Sequence, residues 1–550
     1  MIKIGILSSS LENLSNFEYR FYFWCLQQEW IKIEIIFIDG RIKTSKKNYL
    51  NKIIDYNFFS KLLFITINKI DDYFLKYKKI DNKKKDTVQK WLENIDKIKI
   101  FPINKKGNID YFNDELSQKI KNYNLDLILR FGFNIINGKI LNVSKHGIWS
   151  FHHADNDINR GGPAGFWEVL FDHKTTGVTL QRLNENLDGG YIIDKAHYVT
   201  QHTFKQNNIF VIEKSLLILF KNLKRLKNKK ILYTESKEYK KKIYKYPTSL
   251  KIILKYLWVL IKNIIIKKIY YKFFYLLNYK IHHWTIFITN TNDFKKITLN
   301  NSQMIKTTKN YFYADPFYIK HNNIDYVFYE KFDYKKNIGH LSCSIIENNK
   351  FINEKTILKK DYHLSYPFIF YKDDNFYLLP EMSQSKKQQV FISKNFPYEW
   401  KLHKTIFNNV YCADPTIFED DKKNLWLFIN QSFDAFNDLN SELYIYRINN
   451  LYEFELESHS LNPVIIDSRK ARNAGSIFKY NDNIIRPSQN TNSISYGNSL
   501  KFNKIVSLTI DDFKDEEIYN LEFKNRNIIG THHFNMYKDK SLIDVCHRIF

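Results

Sequence analysis

Residues Gly147 to Asp194 read GIWSFHHADNDINRGGPAGFWEVLFDHKTTGVTLQRLNENLDGGYIID, and this stretch decides the fold of the first part of the chain. A β-rich run, Gly147 to Phe151, passes into a polar, glycine-rich loop. A helix is expected from about Pro163, then a strand at Gly177-Val178-Thr179 and a turn at Asp188-Gly189-Gly190. Polar side chains gathered in loops at strand ends are the way an open α/β sheet builds a site. Ser150, His152 and Asp188 are its three leading candidates.

Working outward, Ile2 to Leu7 and Ile33 to Asp39 are short β-rich runs around a helical pattern near Glu18 to Trp30, the β-α-β opening of a parallel sheet. Residues 40 to 110 are rich in Lys and Asn, and only helices are expected there. Glu115 to Tyr123 reads as helix, Leu125 to Arg130 as a buried strand, and Phe131, Gly132, Phe133, Asn134, Ile135 and Ile136 as the loop after it. That loop and Ser150 to His152 should face one crevice.

The segment from Asp126 to Asp194 resembles the catalytic core of the formyltransferases that use 10-formyltetrahydrofolate, which act on methionyl-tRNA, glycinamide ribonucleotide and amino-sugar nucleotides. In that family an Asn-x-His ends a strand and an Asp-x-Gly follows 36 residues beyond the His; His152 and Asp188 keep this separation, and Ser150 stands at the Asn position. The resemblance implies an α/β, Rossmann-like domain over residues 1–228, with His152, Asp188 and Ser150 catalytic and the Phe131 to Ile136 loop holding the pterin through backbone groups. In that family the loop after the His meets the acceptor, which implies this for Asp155; His153 and Arg160 are further candidates for binding the substrate. The family's Ser-Leu-Leu-Pro after the His is replaced by Ala154-Asp155-Asn156-Asp157, so a different acceptor is expected.

Formyl transfer needs a hydrogen-bond donor for a developing oxyanion and a group of near-neutral pKa to move a proton. His152 suits the second task, and Asp188 would orient it or hold a water. The Ser150 hydroxyl is shorter than an Asn amide. Either His153 or a backbone N–H completes the donor set, or the chemistry has changed. Arg160-Gly161-Gly162-Pro163 reads as a helix start or as an anion contact.

At 550 residues the chain exceeds one ordinary core, so two or three domains are expected. Its net charge of +26 travels with abundant Asn and Ile, a composition bias rather than a sign of nucleic-acid binding. Four scattered cysteines imply neither a disulfide framework nor a zinc site, and no metal is expected. The start, MIKIGILSSS, reads as a first strand of a cytoplasmic protein. Residues 229–283 form a basic, aromatic connector in which Lys251, Lys255, Lys262, Lys272 and Lys280 fall on one side of an ideal helix. Residues 247–280 either lie peripherally on an anionic membrane surface or pack as linker helices on one of the domains.

From residue 284 to 550 the sequence repeats at intervals of about 50 to 60 residues. Ala314-Asp315-Pro316-Phe317, Ser365-Tyr366-Pro367-Phe368, Ala413-Asp414-Pro415-Thr416, Ala474-Gly475-Ser476-Ile477 and Thr531-His532-His533-Phe534 head the units. Five units read as an all-β, five-bladed propeller. The motifs HLSYPF, LPE, ADP and RPSQ resemble furanosidase-type hydrolase propellers and, more closely, the propeller at the N-terminus of glucosamine inositolphosphorylceramide transferases. Asp315, Tyr366, Asp414 and His532 should converge on the central channel, rimmed by Glu330, Glu381, Arg486 and Gln489. The last repeat has room for two strands only, so residues 284 to 299 should complete its blade.

Together these readings give a multidomain, folate-dependent N-formyltransferase acting on an amino sugar, with a glycan-binding propeller. The alternatives are a glycan-binding protein whose first domain no longer transfers formyl groups, and a glycosidase or glycosyltransferase centred on the propeller.

Overall fold

Ile4, Ile6 and Leu7 are fully buried in the first strand, Ile2–Ser8, and Ile35, Ile36 and Phe37 in its neighbour, Ile31–Asp39. Near-continuous apolar runs mark strands covered on both faces. The computed structural model describes residues 1–41, 58–75, 77–105, 109–186, 189–231, 233, 236, 239, 243–266, 269, 272–273, 280–433, 436–491, 497–523, 525 and 527–549. The chain divides into two units, Met1–Ile264 and Ile265–Phe550.

The first unit holds a seven-stranded sheet. Its spatial order is Tyr191–Val199, Thr175–Arg182, Ile148–His152, Leu127–Arg130, Ile2–Ser8, Ile31–Asp39, Asp96–Ile100. The last five in this order are parallel, and the first two are added antiparallel. The chain reverses its direction of sheet growth between Ile2–Ser8 and Leu127–Arg130, which opens a crevice at their carboxyl ends. Helix Asn16–Leu26 starts beside it, fixed by a reciprocal Ser15–Glu18 capping box.

Three expectations are corrected. Strands Asp96–Ile100 and Ile109–Phe112 occur in the region expected to hold only helices. The helix expected from Pro163 is a single short turn, Phe166–Leu170. The first unit also runs past residue 228: helix Leu250–Leu260 buries Ile253, Tyr256 and Val259 against Phe64, Phe166 and Phe204, so this part of the connector belongs to the unit's core. Residues 267–268, 270–271 and 274–279 of the connector lie outside the described residues.

The second unit is a succession of antiparallel sheets over residues 311–358, 365–408, 411–458 and 478–521, followed by one that joins its two ends. Asp315, Tyr366 and Asp414 each sit in the left-handed region (φ 51°, 48° and 47°), at a register shift in the first strand of their sheets. The fourth sheet's counterpart is Gly475 at φ 118°, where a Cβ would lie 1.9 Å from the Phe534 carbonyl oxygen. The sequence repeat therefore encodes a repeated backbone bulge. In the joining sheet, strand Lys280–Thr289 pairs antiparallel with Lys540–Ile549, Trp284 opposite Cys546. Its outer neighbour is Ser302–Met304, beyond the residues 284 to 299 expected to complete the blade.

Candidate active site of the first unit and polar centre of the second

The crevice in the first unit holds a cavity of about 290 Å³. Phe17, Phe131, Phe133 and Phe151 form its aromatic walls, with Arg130, Ser150 and His153 supplying polar groups. Phe17 meets Phe131 and Phe151 edge-on at 5.4 and 6.0 Å. Gly132 closes the loop against the first strand: its N–H donates to Leu7 O at 2.9 Å, and a Cβ there would lie 2.3 Å from Ser9 N. Asn134 is held by buried Asp110, which accepts from the Asn134 N–H (2.7 Å) and from both terminal nitrogens of Arg41 (2.6 and 2.9 Å). Ile135 and Ile136 continue as a short strand paired with Ile109–Phe112.

Arg130 Nη1 donates to Ser150 Oγ at 2.6 Å, and Nη2 to Phe133 O at 3.4 Å. His153 also lines the cavity, with Nε2 3.3 Å from Ser215 Oγ. Burial first, then His152 and Arg130, push its pKa down to about 3, so it is neutral near pH 7. His152 is not among the lining residues; its Nε2 lies 3.2 Å from Asn159 O. Asp188 lies outside the described residues.

The expected acceptor-side residues have other partners. Asp155 is buried between Lys195 and His197, whose Nε2 is 3.1 Å away. Burial would raise this carboxyl, but the hydrogen bonds from His197 and Lys195 outweigh it and hold it well below the usual carboxylate range. Arg160 is buried, donates to Tyr239 O at 2.6 Å and stacks over that ring. Both hold the loop in place.

In the second unit most of the expected channel residues are buried and fall into two hydrogen-bonded groups, one around Asp315 and Tyr366 and one around Asp414. Tyr366 N–H donates to Asp315 Oδ2 at 3.1 Å, and Gly475 N–H donates to Tyr366 Oη at 2.9 Å. Arg472 bridges Asp414 (2.7 Å) and Glu381 (3.0 Å), and Gln489 Nε2 donates to Asp414 at 3.0 Å. His532 lies 3.8 Å from Asp315, stacks on Trp284, and pairs with Asp544 at 2.7 Å. Asp544 also accepts the backbone N–H groups of Asp315, His532 and His533, which makes it a clamp on this strand end. Burial raises Asp414 to about 7 against Arg472, with Glu381 adding to the rise; burial, then Asp315 and Glu381, carry Glu330 well above its usual range.

Arg486 is corrected: it is fully buried on Asp515 (2.7 Å) and Lys470 O (2.8 Å), away from the Asp414 cluster. Strand alternation accounts for this, since Arg486 and Gln489 are an odd number apart and face opposite sides. Arg472 holds the guanidinium position instead.

Residues 294–542 match the family described as Glucosamine inositolphosphorylceramide transferase 1, N-terminal. The transferase of that name from Oryza sativa subsp. indica is 30% identical over 161 residues, 29% of this chain and 21% of the relative. The chain thus spans about a fifth of that relative's length. Methionyl-tRNA formyltransferase of Prochlorococcus marinus is 32% identical over 80 residues, 14% of this chain and 24% of its own. A solved sugar N-formyltransferase from a Shewanella species is 13% identical, covering 47% of this chain and 88% of its own, with a TM-score of 0.29. The chain is thus similar to the transferase N-terminal family over residues 294–542 and, over 80 residues, to a methionyl-tRNA formyltransferase.

Sequence reasoning missed Arg130, Asp110, Arg472 and Asp544. Arg130 carried a signal: it is the one charged residue closing the otherwise apolar run LILR.

Proposed function

We propose that the first unit is an N-formyltransferase moving a formyl group from 10-formyltetrahydrofolate to the amine of an amino sugar, nucleotide-linked, in cytoplasmic synthesis of a surface polysaccharide. The second unit is, in this reading, a five-bladed propeller that binds the glycan. The carrying observation is the cavity at the switch point with Arg130, Ser150 and His153 turned to it.

The cavity suits a donor that carries a flat heterocycle, because its aromatic walls would stack against such a ring. Bound there, 10-formyltetrahydrofolate would supply an activated formyl group. Negative charge develops on the formyl oxygen during acyl transfer, and a donor fixed beforehand stabilises it. Ser150 accepts from Arg130, and only a long 3.4 Å contact to Phe151 O engages its own hydroxyl proton. The guanidinium stays charged at every working pH. Arg130 and Ser150 together thus offer the donor set that a shorter Ser side chain lacks alone. In this reading His152 is the base for the acceptor nitrogen and Asp188 is its partner carboxylate.

Support for the propeller is the run of five antiparallel sheets, the last built from both ends of the unit. A buried set of carboxyls, one guanidinium and an amide suits sugar hydroxyls. Asp315→Asn and Asp414→Asn should weaken glycan binding and leave formyl transfer to a small nucleotide sugar unchanged.

Titration of the full chain with 5-formyltetrahydrofolate, which cannot donate its formyl group here, tests the first half. One saturable site per chain is expected, and no binding would contradict the reading.

A further inference from the structure

Helices Phe58–Phe74 and Leu250–Leu260 pack on each other through Phe64, Ile67, Ile253 and Tyr256. Each also presents a second apolar face. Phe59 is 80% exposed, Leu62 48% and Tyr73 83% on the first helix; Leu250 and Leu254 are 53% exposed and Trp258 59% on the second. A helix apolar on both faces needs a second partner or a nonaqueous surface. Exposed Lys69 stands within the first stripe, and exposed Lys251 and Lys255 flank the second. The acids of the first helix are engaged elsewhere: Asp71 accepts from Lys205 N–H at 3.2 Å, and Asp72 pairs with the Lys205 ammonium at 3.1 Å.

We infer that this two-helix face docks on an anionic membrane surface. Aromatic and aliphatic side chains enter the headgroup boundary, and the flanking lysines extend to lipid phosphates, the arrangement of an interfacial amphipathic helix. Charge selects this occupant over a second copy, because two chains of net charge +26 meeting on a lysine-edged face repel each other. The contact is peripheral: among the described residues no helix is long and apolar enough to cross a membrane.

Cosedimentation of the full chain with vesicles of phosphatidylglycerol and phosphatidylcholine, against vesicles of phosphatidylcholine alone, tests the inference. Binding is expected to the anionic vesicles and to fall with added salt. Lys69→Gln with Lys251→Gln should weaken it about thirtyfold, at about 1 kcal/mol for each lysine. Phe59→Ser with Trp258→Ser should reduce it as strongly, and because these side chains are exposed the melting transition should not move. Equal binding by the variants and wild type, no preference for the anionic vesicles, or dimerisation that the same variants abolish would each overturn it.

Discussion

Arg130 Nη1 lies 2.6 Å from Ser150 Oγ, so two strands of the parallel sheet are tied at the point where the cavity opens. If this pair is the donor set for the formyl oxygen, Arg130→Ala should lower kcat about a hundredfold to a thousandfold. The Kd for 5-formyltetrahydrofolate should change little. Ser150→Asn in the Arg130→Ala background should recover part of the rate by placing an amide donor at the same strand end. A large loss of folate affinity with kcat kept would instead make Arg130 an anion-binding residue.

His153 gives the first unit a pH dependence of definite sign. Its folded pKa, about 3, is below the unfolded value of about 6.5. The neutral ring is the form that the fold accepts, so this contribution is present above pH 6.5 and lost as the pH falls from there toward 3. Between pH 6.5 and 5 the loss is about 2 kcal/mol. Urea melts at the two pH values should show it, and His153→Asn should flatten the difference.

Asp110 holds the Phe131 to Ile136 loop by accepting from Arg41 and from Asn134 N–H. Asp110→Ala leaves the loop amide of Asn134 unpaired and Arg41 on Asp39 alone. A loss of about 3 kcal/mol is expected for the first unit, with weaker folate binding, and the transition of the second unit should stay where it is.

The second unit is closed by pairing Lys280–Thr289 with Lys540–Ile549. Truncation after Gly530 removes Phe534–Tyr537 and Lys540–Ile549 and leaves a long strand edge unpaired. The whole β unit should lose its cooperative melting transition. A truncated chain that melts as before would show that the closure is dispensable.

Much of this organisation was legible in the sequence. Apolar runs such as Ile4 to Leu7 and Leu127 to Leu129 give the buried parallel strands, and the recurring Asp-Pro or Tyr-Pro heads mark three of the repeated sheets, each with a left-handed residue at a register shift. Asp96–Ile100 was missed because DKIKI alternates lysine with isoleucine at the sheet edge, where one side faces water. The site was half legible. His153, not His152, lines the cavity, and Arg472 rather than Arg486 meets Asp414, since side-chain direction near a loop depends on backbone turns that residue spacing alone does not fix. The Arg130 contact joins positions 20 residues apart and needed the strand pairing to be seen.

The central claim is formyl transfer, and the most direct measurement is mass-spectrometric detection of an N-formylated sugar after the full chain is incubated with 10-formyltetrahydrofolate and candidate amino-sugar nucleotides. The account predicts turnover with at least one of them, lost in His152→Ala and in Arg130→Ala. Binding of the folate without formylation of any amino sugar, or turnover in His152→Ala within a few-fold of wild type, would contradict it.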